Sequence, residues 1–192
     1  MFLEETLESP HSAAKYQEDI DQDGFVWTLT ELWAWNPEAD AKVGDRLARA
    51  AEDAGLSFRD RGVIVTAAAS EIENSGCAPA WGNRLSTSTD VETAVGVING
   101  VETETMTARD KALGRWARLV AGNPASTTPR DVEALRDIGF DDRGIFDLTL
   151  YIALRVGSST LNDALNASLD GQLVKRFPRD VVKAIDFGRP PV

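Results

Sequence analysis

The chain is marked along most of its length by residues that begin and end α-helices. Asn36-Pro37-Glu38 supplies a capping side chain, a proline for the first helical position and an acid for the first turn, and Gly55 ends the segment. Similar starts occur at Ser57, Thr89, Thr107 and Thr128, and similar ends occur near Gly76, Gly122 and Gly139. No stretch has the clear alternation of a β-strand. The sequence therefore predicts an all-α fold of about seven or eight helices.

Length and apolar spacing predict one domain with an amino-terminal extension. A chain of 192 residues with 43% hydrophobic content can form one good core. Residues 1–35 are acidic and aperiodic, and we expect them to form an arm that packs on a helical domain of residues 36–192. The arm would pack through its apolar side chains, with its tryptophans turned away from water: Phe25, Trp27, Leu29, Leu32, Trp33 and Trp35.

The segment from Ile145 to Val156 is apolar almost all round, which is typical of a helix enclosed by neighbours. We expect it to be the central helix. Arg155 interrupts it, and a buried arginine needs an acidic partner. This residue is either one half of a structural ion pair or an anchor for an acidic ligand. The small residues Gly157 to Ser159 would let another backbone approach closely, within the subunit or across an oligomer interface.

Charge and composition exclude several classes of partner. The formal net charge of -11 would repel nucleic acid and anionic membrane surfaces. The amino terminus is acidic where a secretory signal would be basic, and no apolar run reaches the ~18 residues of a membrane-spanning helix. A single cysteine fits a reducing compartment. We therefore expect a cytoplasmic protein that binds neither nucleic acid nor a membrane.

The acidic stretch Asp19, Asp21, Asp23 and Gly24 matches the first half of a calcium-binding loop. The twelfth position, which needs a bidentate glutamate, is Thr30. We expect an acidic turn here rather than a calcium site, and we expect no metal or other cofactor elsewhere.

The only cysteine, Cys77, follows an alanine-rich apolar helix and precedes a second helix that Pro79 and Trp81 begin. This order predicts a thiol at a helix amino terminus, where the pKa of a cysteine is lowered. Cys77 is either a reactive nucleophile of this kind or a small buried hydrophobic residue.

Three segments together resemble a known family: RDRGVIVTAAASEIENSGC (59–77), TARDKALGRWARLVAGNPASTTPRDVEALRDIGFDD (107–142) and IFDLTLYIALRVGSSTLNDAL (145–165). Their order and spacing resemble the carboxymuconolactone decarboxylase and alkylhydroperoxidase D (AhpD)-like superfamily, in its peroxidase-related branch. The resemblance extends over about residues 36–169. It implies an AhpD-like helical bundle that assembles as a homo-oligomer.

The resemblance also implies a catalytic set, most of which this chain lacks. Active members have a Cys-x-x-Cys pair at a helix start, a histidine shortly after it and a glutamate about a dozen residues before it. Cys77 matches the first cysteine, whereas the second falls on Ala80. The only histidine, His11, lies outside the motif. The family's histidine position is Arg84 or Asn83 in this chain, and its glutamate position is Val65 or Val63. In the closing helix, the asparagine and arginine positions are Ser159 and Thr160, whereas Asp163 and Leu165 are retained.

Three functions follow as hypotheses. The first is a peroxidase-related protein with a weak one-cysteine alkylhydroperoxidase, or antioxidant, activity on a small hydroperoxide through Cys77. In this hypothesis Glu71 and Glu73 are candidate proton shuttles, and Trp81 and Arg84 are candidate pocket residues. The second is a catalytically inactive oligomeric scaffold or ligand-binding protein of the same fold, which would hold an apolar or carboxylate ligand. The third is a proton-transfer enzyme similar to carboxymuconolactone decarboxylase.

Overall fold

The computed structural model describes residues 1–4 and 9–191, except the side chain of His11, and these residues form eleven α-helices and no strand. The prediction of an all-α fold is confirmed, and eight of the helices have nine or more residues. None of the helices in the described ranges is long and apolar enough to cross a membrane. The helices are α1 (Pro10–Asp23), α2 (Thr28–Trp33), α3 (Pro37–Asp53), α4 (Phe58–Glu71), α5 (Cys77–Ser88), α6 (Val91–Asn99), α7 (Ala108–Gly122), α8 (Pro129–Asp137), α9 (Asp142–Ala164), α10 (Gly171–Val174) and α11 (Arg179–Lys183).

Most helix starts agree with the capping residues in the sequence. The Asn36 side chain accepts a hydrogen bond from the Ala39 amide, and Ser57 and Thr107 each form a capping box with the residue three positions later. The start predicted at Thr89 is one residue early. Asp90 caps α6 instead, because the Thr89 hydroxyl donates to the Leu85 carbonyl of the preceding helix.

Helix α4, and not α9, is the central helix. It packs against α5, α6, α7 and α9, and every residue from Gly62 to Ser70 is buried. The prediction for α9 was wrong, since Phe146 on its outer face is 63% exposed. The physical reason is the size of the side chains. The alanines of α4 allow neighbouring helices to approach on all sides. Helix α9 has bulkier side chains, and its buried residues lie along one side only.

The amino termini of α4 and α7 are joined by two crossed ion pairs. Arg59, next to one capping box, donates to Asp110 of the other box at 3.0 and 2.6 Å. Reciprocally, Arg109 donates to Asp60 at 2.9 and 3.3 Å. Both carboxylates are buried. Each aspartate therefore caps its own helix and holds the other helix at the same time.

The amino-terminal segment is more regular than its sequence indicates. Ser9 and Ser12 form a capping box, so that residues 10–23 are helical rather than an aperiodic arm with an acidic turn. The aspartates of the candidate calcium loop lie in or at the end of this helix. Asp19 accepts a hydrogen bond from the Trp27 amide, and Asp23 accepts one from the Trp27 indole. These carboxylates therefore order the turn that follows the helix.

Helix α2 connects this segment to the rest of the protein. The Thr28 amide and hydroxyl donate to Asp170, and the Trp33 indole donates to Asn162 of α9 at 2.9 Å. Leu32 is buried, as predicted, but Trp35 is 51% exposed, which contradicts its predicted burial. Trp35 lies in the short connection between α2 and the Asn36 cap of α3, and connections of this kind run over the protein surface.

A glycine in α6 tests the close packing of this region. A Cβ atom at Gly96 would lie 2.7 Å from both Met106 Cε and Thr103 Cγ2, and 2.8 Å from the Val101 carbonyl oxygen. We expect Gly96→Ala to lower the free energy of unfolding by about 1–3 kcal/mol, because the backbone carbonyl cannot move aside as a side chain would. Denaturant unfolding measures this change.

Gly44→Ala is the matched control for that measurement. Gly44 lies within α3, and a Cβ there would meet no atom within 4 Å. Alanine should stabilise this helix by about 0.5–1 kcal/mol, because it loses less conformational entropy on folding than glycine. Equal effects of the two substitutions would contradict the packing around Gly96.

Candidate functional site

Cys77 is the first residue of α5, as the sequence predicts. Its amide donates to the Asn74 side-chain oxygen at 2.7 Å, and the Asn74 side-chain nitrogen donates to the Ser159 carbonyl of α9 at 3.1 Å. Asn74 is buried, so both of these bonds are shielded from water. Asn74 therefore fixes the start of α5 against α9.

The thiol itself has one hydrogen-bond donor beside it. The Ser159 hydroxyl donates to Cys77 Sγ across 3.3 Å. Cys77 is half-buried and not in a disulfide, and Ser159 is buried. This bond places a polar group of α9 directly beside the sulfur. Ser159 occupies the position where the resemblance places an asparagine, and sequence reasoning assigned it no role at the site.

Cys77 lies on the wall of a cavity of about 630 Å³, a volume in the range of small-molecule sites. Helices α5 and α9 form one wall and contribute Cys77, Trp81, Arg84 and Arg155. Helices α1 and α2 contribute most of the remaining lining. The apolar side chains of this part, together with those of α3 and the segment after α9, are Trp27, Leu29, Trp33, Val43, Leu47, Leu169, Leu173 and Phe177.

Trp81 is the centre of a small group of rings and guanidinium groups. It is only 8% exposed, and its ring centroid lies 6.5 Å from that of Phe58. The guanidinium carbons of Arg84 and Arg155 lie 4.8 and 4.6 Å from the Trp81 ring. Two cations therefore share one aromatic side chain beside the thiol.

Arg155 does not form the structural ion pair that was one of its two predicted roles. Within residues 1–4 and 9–191, its side chain forms one long hydrogen bond, in which Nε donates to the Tyr151 hydroxyl at 3.4 Å. No carboxylate of the described residues forms an ion pair with Arg155 or with Arg84. The other predicted role of Arg155, in which it binds an acidic ligand, stays a prediction.

The electrostatic surroundings of Arg84 are unusual for an arginine. Burial lowers the pKa of its guanidinium, and the positive charge of Arg155 lowers this pKa further. Cys77 acts in the opposite direction and raises the pKa of Arg84. An arginine stays protonated at neutral pH even so. The cavity wall therefore carries two positive charges that repel each other and attract an anion.

The two glutamates considered as proton shuttles lie away from this cavity. Glu71 pairs with Arg118 at 2.9 Å, and Arg118 also donates to the last carbonyls of α6. Glu73 is exposed and has a positive φ of 55°. Neither lines the cavity, whereas Cys77, Trp81 and Arg84 are brought together there. Ala80, at the position of the family's second cysteine, lines it as well.

No group of three or more histidine, cysteine, aspartate or glutamate side chains in the described part of the chain is arranged to hold a metal ion. Four of the five carboxylates that line the cavity have partners: Asp40 pairs with Lys15, Asp23 pairs with Arg176, Asp170 accepts from Thr28, and Asp19 accepts from the Trp27 amide.

Solved structures share this fold at low sequence identity. An AhpD-core, uncharacterized peroxidase-related protein from Ralstonia eutropha JMP134 is 20% identical, with a TM-score of 0.66 over 98% of each chain. The debrominase Bmp8 is 12% identical, with a TM-score of 0.72 over 95% of this chain and 97% of its own. A cysteine-to-alanine variant of Bmp8 in complex with 2,3,4-tribromopyrrole is 13% identical, with a TM-score of 0.71 over 95% of this chain and 96% of its own.

No family model matches the chain, and no curated protein matches its sequence. The structural matches cover nearly the whole chain, including α1 and α2. The protein therefore has the AhpD-like fold, and the fold that the sequence resemblance predicts is confirmed.

The hydrogen bond from Ser159 to the thiol can be tested directly. We expect Ser159→Ala to slow the alkylation of Cys77 by iodoacetamide about tenfold, the effect of losing a hydrogen bond worth about 1.4 kcal/mol to the thiolate. The measurement is the second-order rate at neutral pH, followed by intact mass.

Ser158→Ala is the matched control for that rate. Ser158 also lines the cavity, but its hydroxyl donates to the Leu154 carbonyl within α9 and not to the sulfur. Its replacement should leave the alkylation rate within about twofold, as expected for a change that removes no contact to the thiolate. Equal rates in all three proteins would show that the Ser159 hydroxyl does not support the thiolate.

Proposed function

We propose that the protein is a one-cysteine thiol reductase of organic hydroperoxides, with Cys77 as the nucleophile. The observation that carries this proposal is the placement of a half-buried thiol at the start of α5, on the wall of a cavity, with the Ser159 hydroxyl bonded to it. A thiolate supported in this way is the reactive form of cysteine.

The chemistry needs one bond exchange and an external reductant. The thiolate attacks one oxygen of the O–O bond, an S–O bond forms, and the alkoxide leaves and takes a proton from water. Sulfur is oxidised by two electrons to the sulfenic acid, and the peroxide is reduced by two electrons to the alcohol. A small external thiol then displaces water to form a mixed disulfide, and a second thiol releases Cys77 and the external disulfide.

The external thiol follows from the composition of the chain. Cys77 is the single cysteine and Ala80 stands at the family's second position, so the chain has no resolving thiol of its own. The residues that α5 and α9 contribute to the cavity include no glutamate or histidine, and the one glutamate of the lining, Glu18, lies on α1. Without a general acid the alkoxide leaves unassisted, and we expect a slow reaction.

A second candidate is ligand binding without catalysis, and the size of the cavity favours it. A volume of about 630 Å³ exceeds what a small peroxide needs. The Bmp8 variant of the same fold was solved with a halogenated pyrrole, which supports the idea that this fold accommodates a planar aromatic molecule.

Trapping of the sulfenic acid tests the first proposal. The protein is treated with cumene hydroperoxide or hydrogen peroxide in the presence of a dimedone-type probe, and Cys77→Ser is treated in parallel. We expect one adduct per chain in the wild type, faster with the organic peroxide, and none in Cys77→Ser. A folded wild-type protein that gives no adduct would contradict peroxide reduction and leave ligand binding as the function.

A further inference from the structure

We infer that the cavity binds a small aromatic carboxylate, held by Arg84 and Arg155 beside Cys77. That such a molecule is a substrate of Cys77 rests on the proposed function, whereas its binding needs no thiol chemistry. Three features support this ligand: the two guanidinium groups, their lack of acidic partners among the described residues, and the apolar side chains that line the same cavity.

The two guanidinium groups have unused hydrogen-bond donors. Each guanidinium has five N–H donors in a planar fork. Arg155 uses only Nε, toward the Tyr151 hydroxyl, and the Arg84 side chain forms no hydrogen bond with the part of the chain that the structure describes. Both groups lie over the Trp81 ring, a contact that uses none of their N–H donors as hydrogen bonds to an oxygen. A planar carboxylate matches the edge of a guanidinium group with two parallel hydrogen bonds.

Arg84 and Arg155 also have no acidic partner among the described residues, although five carboxylates line the cavity as a whole. Arg84 and Arg155 lie around one ring and repel each other, as the lowered pKa of Arg84 reflects. Every other cation that lines the cavity has a carboxylate: Lys15 pairs with Asp40, and Arg176 pairs with Asp23. A bound carboxylate would supply the missing negative charge to the remaining two.

The part of the lining from α1, α2 and the residues beside them indicates what the rest of the ligand should be. It presents Trp27 and Trp33 together with aliphatic side chains. Aromatic rings pack against such walls and gain stability from ring contacts beyond the area that they bury. The site therefore combines two arginines that can bind an anion with a lining that can pack against an aromatic ring. This combination favours an aromatic acid over a neutral arene or an inorganic anion.

Calorimetric titration of the full-length protein tests the inference with a matched pair of probes, 2-naphthoate and 2-naphthamide. We expect the carboxylate to bind at least about tenfold more tightly than the amide, since charge-assisted hydrogen bonds are worth about 1.5–3 kcal/mol and 1.4 kcal/mol is a factor of ten. Arg84→Met and Arg155→Met should each reduce this preference, and the double variant should abolish it. Equal affinities of the two probes for the wild type would overturn the inference.

Two controls separate binding by this pair from a general effect of charge or folding. Arg176→Met removes a cavity arginine that already has a carboxylate partner, so the preference for naphthoate should persist. Each variant is first shown to unfold cooperatively near the wild-type midpoint, and Arg155→Lys, which keeps the charge but loses the fork, replaces Arg155→Met if the latter fails. A preference lost equally in Arg176→Met would overturn the assignment to Arg84 and Arg155.

The inference and the proposed function fail in different ways. Cys77→Ser should bind naphthoate as the wild type does, and naphthoate should protect wild-type Cys77 from alkylation. Naphthoate binding without any sulfenic acid contradicts the peroxide reaction alone. Sulfenic acid formation without a preference for the carboxylate contradicts the inference alone.

Discussion

Replacing Asp110 with alanine lowers the free energy of unfolding by about 3 kcal/mol, the lower end of the loss expected when one partner of a buried ion pair is removed. Asp110 is 2% exposed, accepts two bonds from Arg59 and caps α7 through the Thr107 amide and hydroxyl. The substitution therefore removes a helix cap and a contact between α4 and α7 together. The remaining Arg59 is partly solvated, which keeps the loss at the lower end. Denaturant unfolding measures it.

The same carboxylate makes stability depend on pH in the acid range. Burial alone would raise the pKa of Asp110, but the hydrogen bonds from Arg59 and Thr107 outweigh it and the pKa is lowered. A lowered pKa gives stability that is fully present above the unfolded-state value of about 3.9 and is lost as the pH falls below it. The difference between wild type and Asp110→Asn should therefore shrink below about pH 4.

Asp45→Ala is the matched control for the Asp110 result. Asp45 pairs with Arg49 one turn away on the surface of α3, where both side chains are largely in water. Surface pairs of this kind add little to stability. An equal loss in Asp45→Ala and Asp110→Ala would show that the crossed ion pairs do not hold α4 against α7.

Replacing Trp81 with alanine lowers the free energy of unfolding by about 3–5 kcal/mol, as for other buried aromatic residues, and abolishes the preference for naphthoate over naphthamide. The ring packs near Phe58 and carries both guanidinium groups, so its loss removes core volume and the surface that positions Arg84 and Arg155. Trp81→Phe keeps a ring face and should retain part of both properties. Unfolding and calorimetric titration measure the two effects separately.

Trp116→Ala distinguishes loss of stability from loss of the site. Trp116 is buried to a similar degree, in α7, and its indole donates to Thr149. Its removal should cost a similar free energy of unfolding, but it should leave the naphthoate preference intact because Trp116 does not line the cavity. Loss of the preference in both variants would indicate that it depends on global stability and not on Trp81.

The sequence predicted the helices well because most of their starts carry local signals. Capping residues such as Asn36, Ser57 and Thr107 act on their own helix, so they can be identified without knowledge of the fold. Burial was harder to predict. The apolar run of α9 indicated a central position, but which faces are covered depends on how all the helices pack, and small alanines place α4 there instead.

The candidate site was predicted in part for the same reason. Cys77, Trp81 and Arg84 lie within one helix, and their spacing of about one turn places them on adjoining positions of α5. Ser159 was missed as a contact of the cysteine because it is 82 residues away along the chain. Asn74 was missed although it lies three residues before Cys77, the usual distance of a helix-capping side chain. The crossed pairs of Arg59 and Arg109 have a local signal that was not used, since both helices begin with serine or threonine, any residue, arginine and aspartate.

The wall formed by α1 and α2 couples ligand affinity to the docking of the amino-terminal segment. The cavity is lined by α1 and α2 as well as by α5 and α9. A ligand that contacts both pairs of helices therefore binds only while residues 10–33 are docked. By mass action, such a ligand reduces the undocked population by a factor of one plus the ratio of its concentration to its Kd. Amide hydrogen exchange in α1 and α2 thus reports occupancy of a site whose thiol and arginines lie on other helices.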